Sequence, residues 1–411
     1  MGVTETVAWK RIVGADGVVT DKESLRAFAS DDSNTLGERP RTILRPRKAE
    51  EVQEIVQLAN QKGIALVPRS STGPRSRGDT VPQAKDSVIV DLSGMTEILR
   101  LDVRNKVAMI QPGVTFGALQ DACAKVGLRV PVPLLPMAST SVMGAYLERE
   151  PHTIPKYHWD MSDPICCLEV IFGSGHLFRT GSAAGPGTLE QQWAAGQAQK
   201  TPMGPSQTDF MKIVQGSQGT MGIATWATIK LELMPQAQKG FFVGAAKLED
   251  VEDFTYALMR ARMPDECLIL NRVALAAIMT KDAAGRDRLA ENLPEWVLFY
   301  AVAGYERLPQ ERVDYLTRDI ADIAAACNVK PVEQLATIQA RTFLGLLSRP
   351  GPEPYWKTRH EGACREIFFL NTLDRAQDFV KACRAECDRQ GFAESGLGIY
   401  IQPIQQGRNV H

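Results

Sequence analysis

The stretch from Lys48 to Leu92 constrains the fold more than any other part of the chain. In "KAEEVQEIVQLANQKG", Val52, Ile55, Val56 and Ala59 recur at i, i+3, i+4 and i+7, the spacing of one apolar stripe on a helix. Gly63 supplies its stop. "IALVP" follows as a buried strand, and "SVIVDL" (Ser87–Leu92) is another. A helix with a single apolar stripe beside buried strands packs on a sheet. Between the strands runs "RSSTGPRSRGDTVP", residues 69–82, with two glycines, Gly73 and Gly78, and three arginines. A loop in that position suits a phosphate cradle. Such a cradle needs backbone N–H groups turned inward and side chains small enough for close approach. Ser70, Ser71, Thr72 and Gly73 meet that need. Pro74 removes one donor, which Arg69 or Arg75 can offset with charge-assisted hydrogen bonds.

The pattern continues downstream. "VAMIQPGV" is a strand running into a turn at Pro112 and Gly113. "TFGALQDACAKVG" is a helix capped by Thr115, with Leu119, Ala122, Cys123 and Val126 on one face. "CLEVIFGSGHLFRTG" reads as a hairpin around Gly173–Gly175, followed by a Gly-, Pro- and Gln-rich excursion. "GSQGTMGIATWATIKLELMP" returns to a strand, and a boundary falls near 236–240. Beyond it "FFVGAAKL", "WVLFYAVAGY", "EIFFLNTL" and "GIYIQPIQ" read as strands, and helices follow the first three. The fold class is α+β, and the second domain is expected to cover one face of its sheet with helices.

Composition excludes several classes. The net charge is −1, so neither nucleic acid nor an anionic membrane surface is indicated as a partner. No apolar segment is long enough to span a bilayer, and "MGVTETVAWKRIVGADG" lacks the apolar core of a secretory signal. The eight cysteines contain no C-x-x-C pair, which fits a reducing, cytoplasmic setting and no local metal site. Cys166–Cys167 and the i,i+4 pair Cys383 and Cys387 read as packing residues.

Five segments, in order, resemble the FAD-linked oxidases of the vanillyl-alcohol oxidase and p-cresol methylhydroxylase type. They are "EEVQEIVQLANQKGIALVP" with its loop, "VAMIQPGVTFGALQDA", "SVMGAYLERE", "CLEVIFGSGHLFRTG" and "GSQGTMGIATWATIKL". The resemblance implies a PCMH-type FAD-binding domain over 41–237, with subdomains about 41–105 and 106–237. A lead-in, 1–40, precedes it and a substrate-covering cap, 238–411, follows. Since relatives continue past the position of His411, the cap is expected to be incomplete.

By the same resemblance, Arg69, Ser70, Ser71, Thr72, Gly73, Arg75 and Gly78 contact FAD from the first loop. Pro112 and Gly113 do so from the turn, Ser139, Thr140, Ser141, Gly144, Glu148 and Arg149 from the second wall, and Gly222, Ile223 and Thr225 from the closing strand. Arg77 stands where the phenol-oxidising members place a tyrosine that contacts the phenolate. Near Pro136 and Met137 those members carry an aspartate that this chain lacks. A guanidinium at that place suits an anionic substrate; pairing with Asp79 or with the FAD phosphates is an equal reading. His158, with His152 beside it in "PHTIPKYHWD", and His411 are the candidate proton acceptors. Taken singly, His152 and His158 read more readily as structural histidines. No metal is implied. FAD is expected to be held non-covalently, with Tyr355, His360 and Tyr400 as alternative tethers from the cap.

The implied activity is that of a dehydrogenase: a hydride passes to the flavin from a C–H next to a hydroxyl or aromatic ring. The alternatives are a 4-alkylphenol oxidoreductase and, from another class, a flavin-binding electron-transfer subunit completed by a partner chain. A protein electron acceptor and a homo-oligomer or hetero-complex are the expected partners.

Overall fold

The structure is a computed structural model that describes residues 3–156, 163–204, 208–351, 353–393 and 396–411. The first subdomain is built on the helix–strand unit seen in the sequence. Helix Ala49–Lys62 buries Val52, Ile55, Val56 and Ala59 and ends at Gly63, whose φ of 63° needs a residue without a Cβ. Its stripe packs on parallel strands Thr42–Leu44, Val88–Asp91 and Leu66–Arg69, in that spatial order, with Val18–Val19 antiparallel at the edge. Parallel strands need a crossover. Here residues 70–87 make it as an irregular loop, which leaves the arginine-rich segment at the carboxyl end of strand Leu66–Arg69.

The second subdomain is a five-stranded antiparallel sheet, ordered Ile98–Asp102, Val107–Ile110, Gly222–Lys230, Ile165–Phe172, Leu177–Arg179. Helices Phe116–Ala124 and Val142–Leu147 cover one face, with Phe116, Leu119, Val142 and Tyr146 in the core. Thr115 and Ser141 cap these helices, accepting from the N–H groups of Ala118 and Gly144. The turn at Pro112–Gly113 joins strand to helix. A Cβ at Gly113 would lie 2.8 Å from the Met95 carbonyl, so the turn requires glycine.

The cap sheet runs Ala237–Ala245, Trp296–Gly304, Glu266–Asn271, Tyr400–Ile401, all antiparallel. It differs from the sequence expectation in two respects. Helices cover both faces: Glu252–Ala261, Pro309–Ala326 and Leu373–Gln390 lie over one, and Arg272–Met279, Ala283–Glu291 and Ala340–Leu347 over the other. The strand is apolar on both sides, as a sheet buried twice requires. The stretch "EIFFLNTL" forms no strand, because Tyr400–Ile401 already takes the edge beside Glu266–Asn271. Ile367, Phe368, Phe369 and Leu370 stay exposed, and only Asn371 bridges to Val410.

The cap sits on the second subdomain through segment 131–155. Gly351 N–H donates to the Pro136 carbonyl at 2.7 Å, Trp356 Nε1 to Leu134 at 3.4 Å, and Gln406 N–H to Pro155 at 2.9 Å. Arg129 reaches Asp265 at 2.7 Å and Glu266 at 2.9 Å, all three side chains largely out of water.

Candidate active site

Three segments meet above the carboxyl end of strand Leu66–Arg69: the loop 69–82, the wall 136–150 and the cap pieces 353–366 and 400–411. Loop and wall touch directly. Thr72 N–H donates to the Ser139 carbonyl at 3.2 Å, and Ser141 N–H donates to Ser71 Oγ at 3.0 Å. A Cβ on Gly73 would lie 2.8 Å from Ser139 Cβ, and one on Gly144 would lie 3.0 Å from Ser70 Oγ. Small residues are therefore what lets the two backbones approach. Leu135 (φ 51°) and Arg149 (φ 61°) flank the wall in the left-handed region.

The arginines are engaged. Arg77 Nη1 meets Glu148 and Glu150, each at 2.9 Å, and its Nε meets Glu366 of the cap at 2.8 Å. Arg75 pairs with Asp79 and with Glu148 at 3.0 Å, and also donates to Ser71 Oγ at 3.1 Å. Arg77 is thus ion-paired, with Glu148, Glu150 and Glu366 rather than Asp79. In this arrangement Arg77 is not open to an anionic substrate. Burial raises the Asp79 carboxyl, and the neighbouring Glu148 adds to this, to about 7. Glu148 is pulled down to about 2: burial opposes ionisation, and Arg75, the hydrogen bond with Asp79 and then Arg77 outweigh it.

From the cap, Lys357 pairs with Glu366 and stands 5.8, 5.4 and 5.4 Å from the ring centres of Tyr355, Trp356 and Tyr400. Burial, then the Arg77 charge, holds its ammonium at about 8, against an opposing pull from Glu150. His411 stacks on Phe368 at 5.3 Å, and its main chain exchanges two 2.8 Å hydrogen bonds with Gln402. Burial, helped by Lys357 and Arg77, lowers its imidazole to about 4, so it is neutral at pH 7. Lys357, Glu366 and Tyr400 are the site residues that sequence reasoning missed in this role. The one available signal was the polar–aromatic mixture in "PYWKTRHEGACRE".

The remaining candidates disperse. His158 lies outside the described residues. His152 is a core residue, edge-on to Tyr146 at 4.7 Å, and burial alone lowers it to about 3. His360 Nε2 contacts the Ala277 carbonyl at 3.0 Å, away from the cluster around Arg77. The Thr225 hydroxyl donates to Glu169 at 2.7 Å and Ile223 packs in the first subdomain's core, so both serve the sheets. A Cβ on Gly222 would lie 2.9 Å from the Cα of Phe172, its partner in the same ladder. Pro112 accepts from Ser141 Oγ at 2.6 Å, which ties the turn to the wall. The Arg149 guanidinium lies against Gly216. Gly78, at φ 74°, donates to Asp31 at 2.6 Å and shapes the loop. Thr140 lines the cleft.

The donor set fits a diphosphate. Arg69 Nη2 holds the Gly73 carbonyl at 3.1 Å, while its Nε is buried and meets no hydrogen-bond acceptor among the described residues. A buried guanidinium with an idle donor is what an anion would satisfy. The space is tighter. The cavity lined by Pro74–Arg77, Pro136, Met137, Thr140, Glu148, Glu150 and Tyr355 measures about 40 Å³. One water occupies about 30 Å³, whereas cofactor pockets run to roughly 300–1,000 Å³. Among the described residues no group of His, Cys, Asp and Glu side chains could hold a metal ion, and no helix is long and apolar enough to cross a membrane.

The class follows from comparison with known proteins. Residues 40–181 match the FAD binding domain family, which covers the first subdomain and part of the second. The fold is that of p-cresol methylhydroxylase, whose substrate-bound crystal structure superposes with a TM-score of 0.82 at 18% identity, covering 99% of this chain and 81% of that one. The isoeugenol complex of 4-ethylphenol oxidase from Gulosibacter chungangensis gives 0.77, also at 18%. In sequence the chain is 25% identical to D-2-hydroxyglutarate dehydrogenase of Stutzerimonas stutzeri over 74% of its length and 61% of the relative's. It is likewise 25% identical to the flavoprotein subunit of 4-cresol dehydrogenase [hydroxylating] of Pseudomonas putida, over 77% of its length and 61% of that protein. The chain thus spans about three fifths of the length of these curated relatives.

Proposed function

We propose that the chain is an FAD-dependent oxidoreductase. It acts as a dehydrogenase on a small organic substrate, at a C–H next to a hydroxyl or aromatic ring. The observation that carries this reading is the convergence of Tyr355, Lys357, Tyr400 and His411 from the cap on the arginine loop of the FAD-binding domain. When bound, FAD supplies the acceptor for the hydride. Ser70–Gly73, Arg69 and Arg75 hold the diphosphate end, without a covalent link. Tyr355, Trp356 and Tyr400 exclude water. Neutral His411 accepts the substrate's proton, and His158 is a second candidate for that role. Lys357 is the cation nearest the aromatic walls. It is therefore a better candidate than Arg77 for steering an anionic group, since Arg77 already has three carboxylates.

The relatives leave two substrate classes in play: 2-hydroxy acids and 4-alkylphenols. One relative is named a flavoprotein subunit, which supports a partner protein as electron acceptor. The test is a reconstitution. Purified chain is supplied with FAD, and its absorbance is read near roughly 370 and 450 nm before and after acid precipitation. Anaerobic additions of both substrate classes follow. Retained flavin that one class bleaches, and that acid releases, is the expected result. Flavin that is retained but that no substrate reduces would favour an electron-transfer subunit.

A further inference from the structure

Hydrogen bonds and ion pairs join the two walls of the cleft that would receive the diphosphate. The neutral hydrogen bonds run from Thr72 N–H and Oγ1 to the Ser139 carbonyl and from Ser141 N–H to Ser71 Oγ. The ion pairs are Arg75 with Glu148 at 3.0 Å, and Arg77 with Glu148 and Glu150, each at 2.9 Å. Glu148 is the hinge of the set, because its two oxygens are divided between the two guanidinium groups. A carboxylate held between two arginines has the charge and the oxygen spacing of one phosphate of a diphosphate. Glu148 and Glu150 lie just past the C-terminus of helix Val142–Leu147, on either side of the left-handed Arg149. With the pairs in place the cavity is about 40 Å³.

We infer that Glu148 and Glu150 act as an internal clasp that occupies the guanidinium groups needed by the cofactor, so that FAD loading is an exchange of carboxylate for diphosphate on Arg75 and Arg77. The inference rests on the FAD reading above. It adds that this chain carries its own competitor for the cofactor. Arg75, Arg77 and Lys357 face Asp79, Glu148, Glu150 and Glu366, so the closed cluster has no cation to spare. On Arg75 and Arg77 an entering diphosphate must displace a carboxylate, whereas the Nε of Arg69 is open to it from the start. Glu366 reaches Arg77 through Nε, not Nη1, so the cap contact survives the exchange.

The test follows FAD uptake by the full-length, flavin-stripped chain, read as quenching of flavin fluorescence, for wild type, Glu148→Gln and Glu150→Gln. Riboflavin, which has no phosphate, is the control ligand. Glu148→Gln is expected to bind FAD at least tenfold more tightly and load it faster, with riboflavin binding unchanged. Glu150→Gln, which frees Arg77 alone, should give a smaller gain of roughly threefold. It carries the test if Glu148→Gln does not fold, as judged by circular dichroism. Equal FAD affinity and loading in all three proteins would overturn the clasp and leave the FAD reading standing. An equal gain for riboflavin would overturn it too, since the effect would then be general loosening. No FAD uptake by any of the proteins would overturn both.

Discussion

A guanidinium that touches three carboxylates cannot be removed without leaving those carboxylates to face one another. Arg77→Ala should therefore cost roughly 3 kcal/mol of stability at pH 7, at the low end for a buried pair because about a fifth of the Arg77 side chain meets water. Lowering the pH should restore part of the loss, since Glu148, which Arg75 and Arg77 together hold at about 2 in the wild type, would then take up a proton more readily. Urea midpoints at pH 7 and pH 5 measure both effects. A second residue sets the acid limb. His152 is held neutral in the fold at about 3, against an ordinary 6.5, so the unfolded chain takes the proton first. Stability should fall as pH drops from about 6.5 toward 3, and His152→Phe should flatten that part of the curve. An unchanged acid limb in the variant would show that other groups set it.

At the scale of elements, the contact between loop and wall depends on what is missing from Gly73. Gly73→Ala places a Cβ against both the side-chain oxygen and the Cβ of Ser139, so a rotamer change alone gives no relief. A loss of about 1–3 kcal/mol is expected, and Ser139→Gly in the same chain should recover much of it, as thermal melts would report. The elements themselves differed in how far they could be read from sequence. Helix Ala49–Lys62 was legible because its stripe, its glycine stop and its flanking strands are local signals that agree. The hairpin Ile165–Phe172 with Leu177–Arg179 was legible for the same reason. Residues 366–370 misled, because aromatic and β-branched side chains mark a strand while the sheet edge they would need belongs to Tyr400–Ile401, more than thirty residues later in the chain. The site was half legible. The loop and wall could be found from motif order, but Arg77 meets Glu148 across 71 residues and Glu366 across 289, and no local spacing encodes such pairs.

For the whole molecule, the joint between the FAD-binding domain and the cap rests on Arg129, which holds Asp265 and Glu266 across that boundary. Arg129→Met fills the space but strands two carboxylates, one of them pushed up by burial to about 7 even with the arginine present. A loss of about 3–5 kcal/mol is expected. Calorimetry should show one endotherm in the wild type divide into two as the cap comes loose before the domain beneath it melts. A single, merely shifted endotherm would mean that segment 131–155 suffices to couple them. The order of synthesis gives the Arg77 cluster a history as well as a geometry. Glu148 leaves the ribosome 71 residues after Arg77, whereas Glu366 follows 289 residues after it. At about 5–20 residues per second, Arg77 waits roughly 15–60 s for its cap partner and only about 4–14 s for the nearer one. The nascent domain can close on itself well before the roof over the Arg77 cluster has been made.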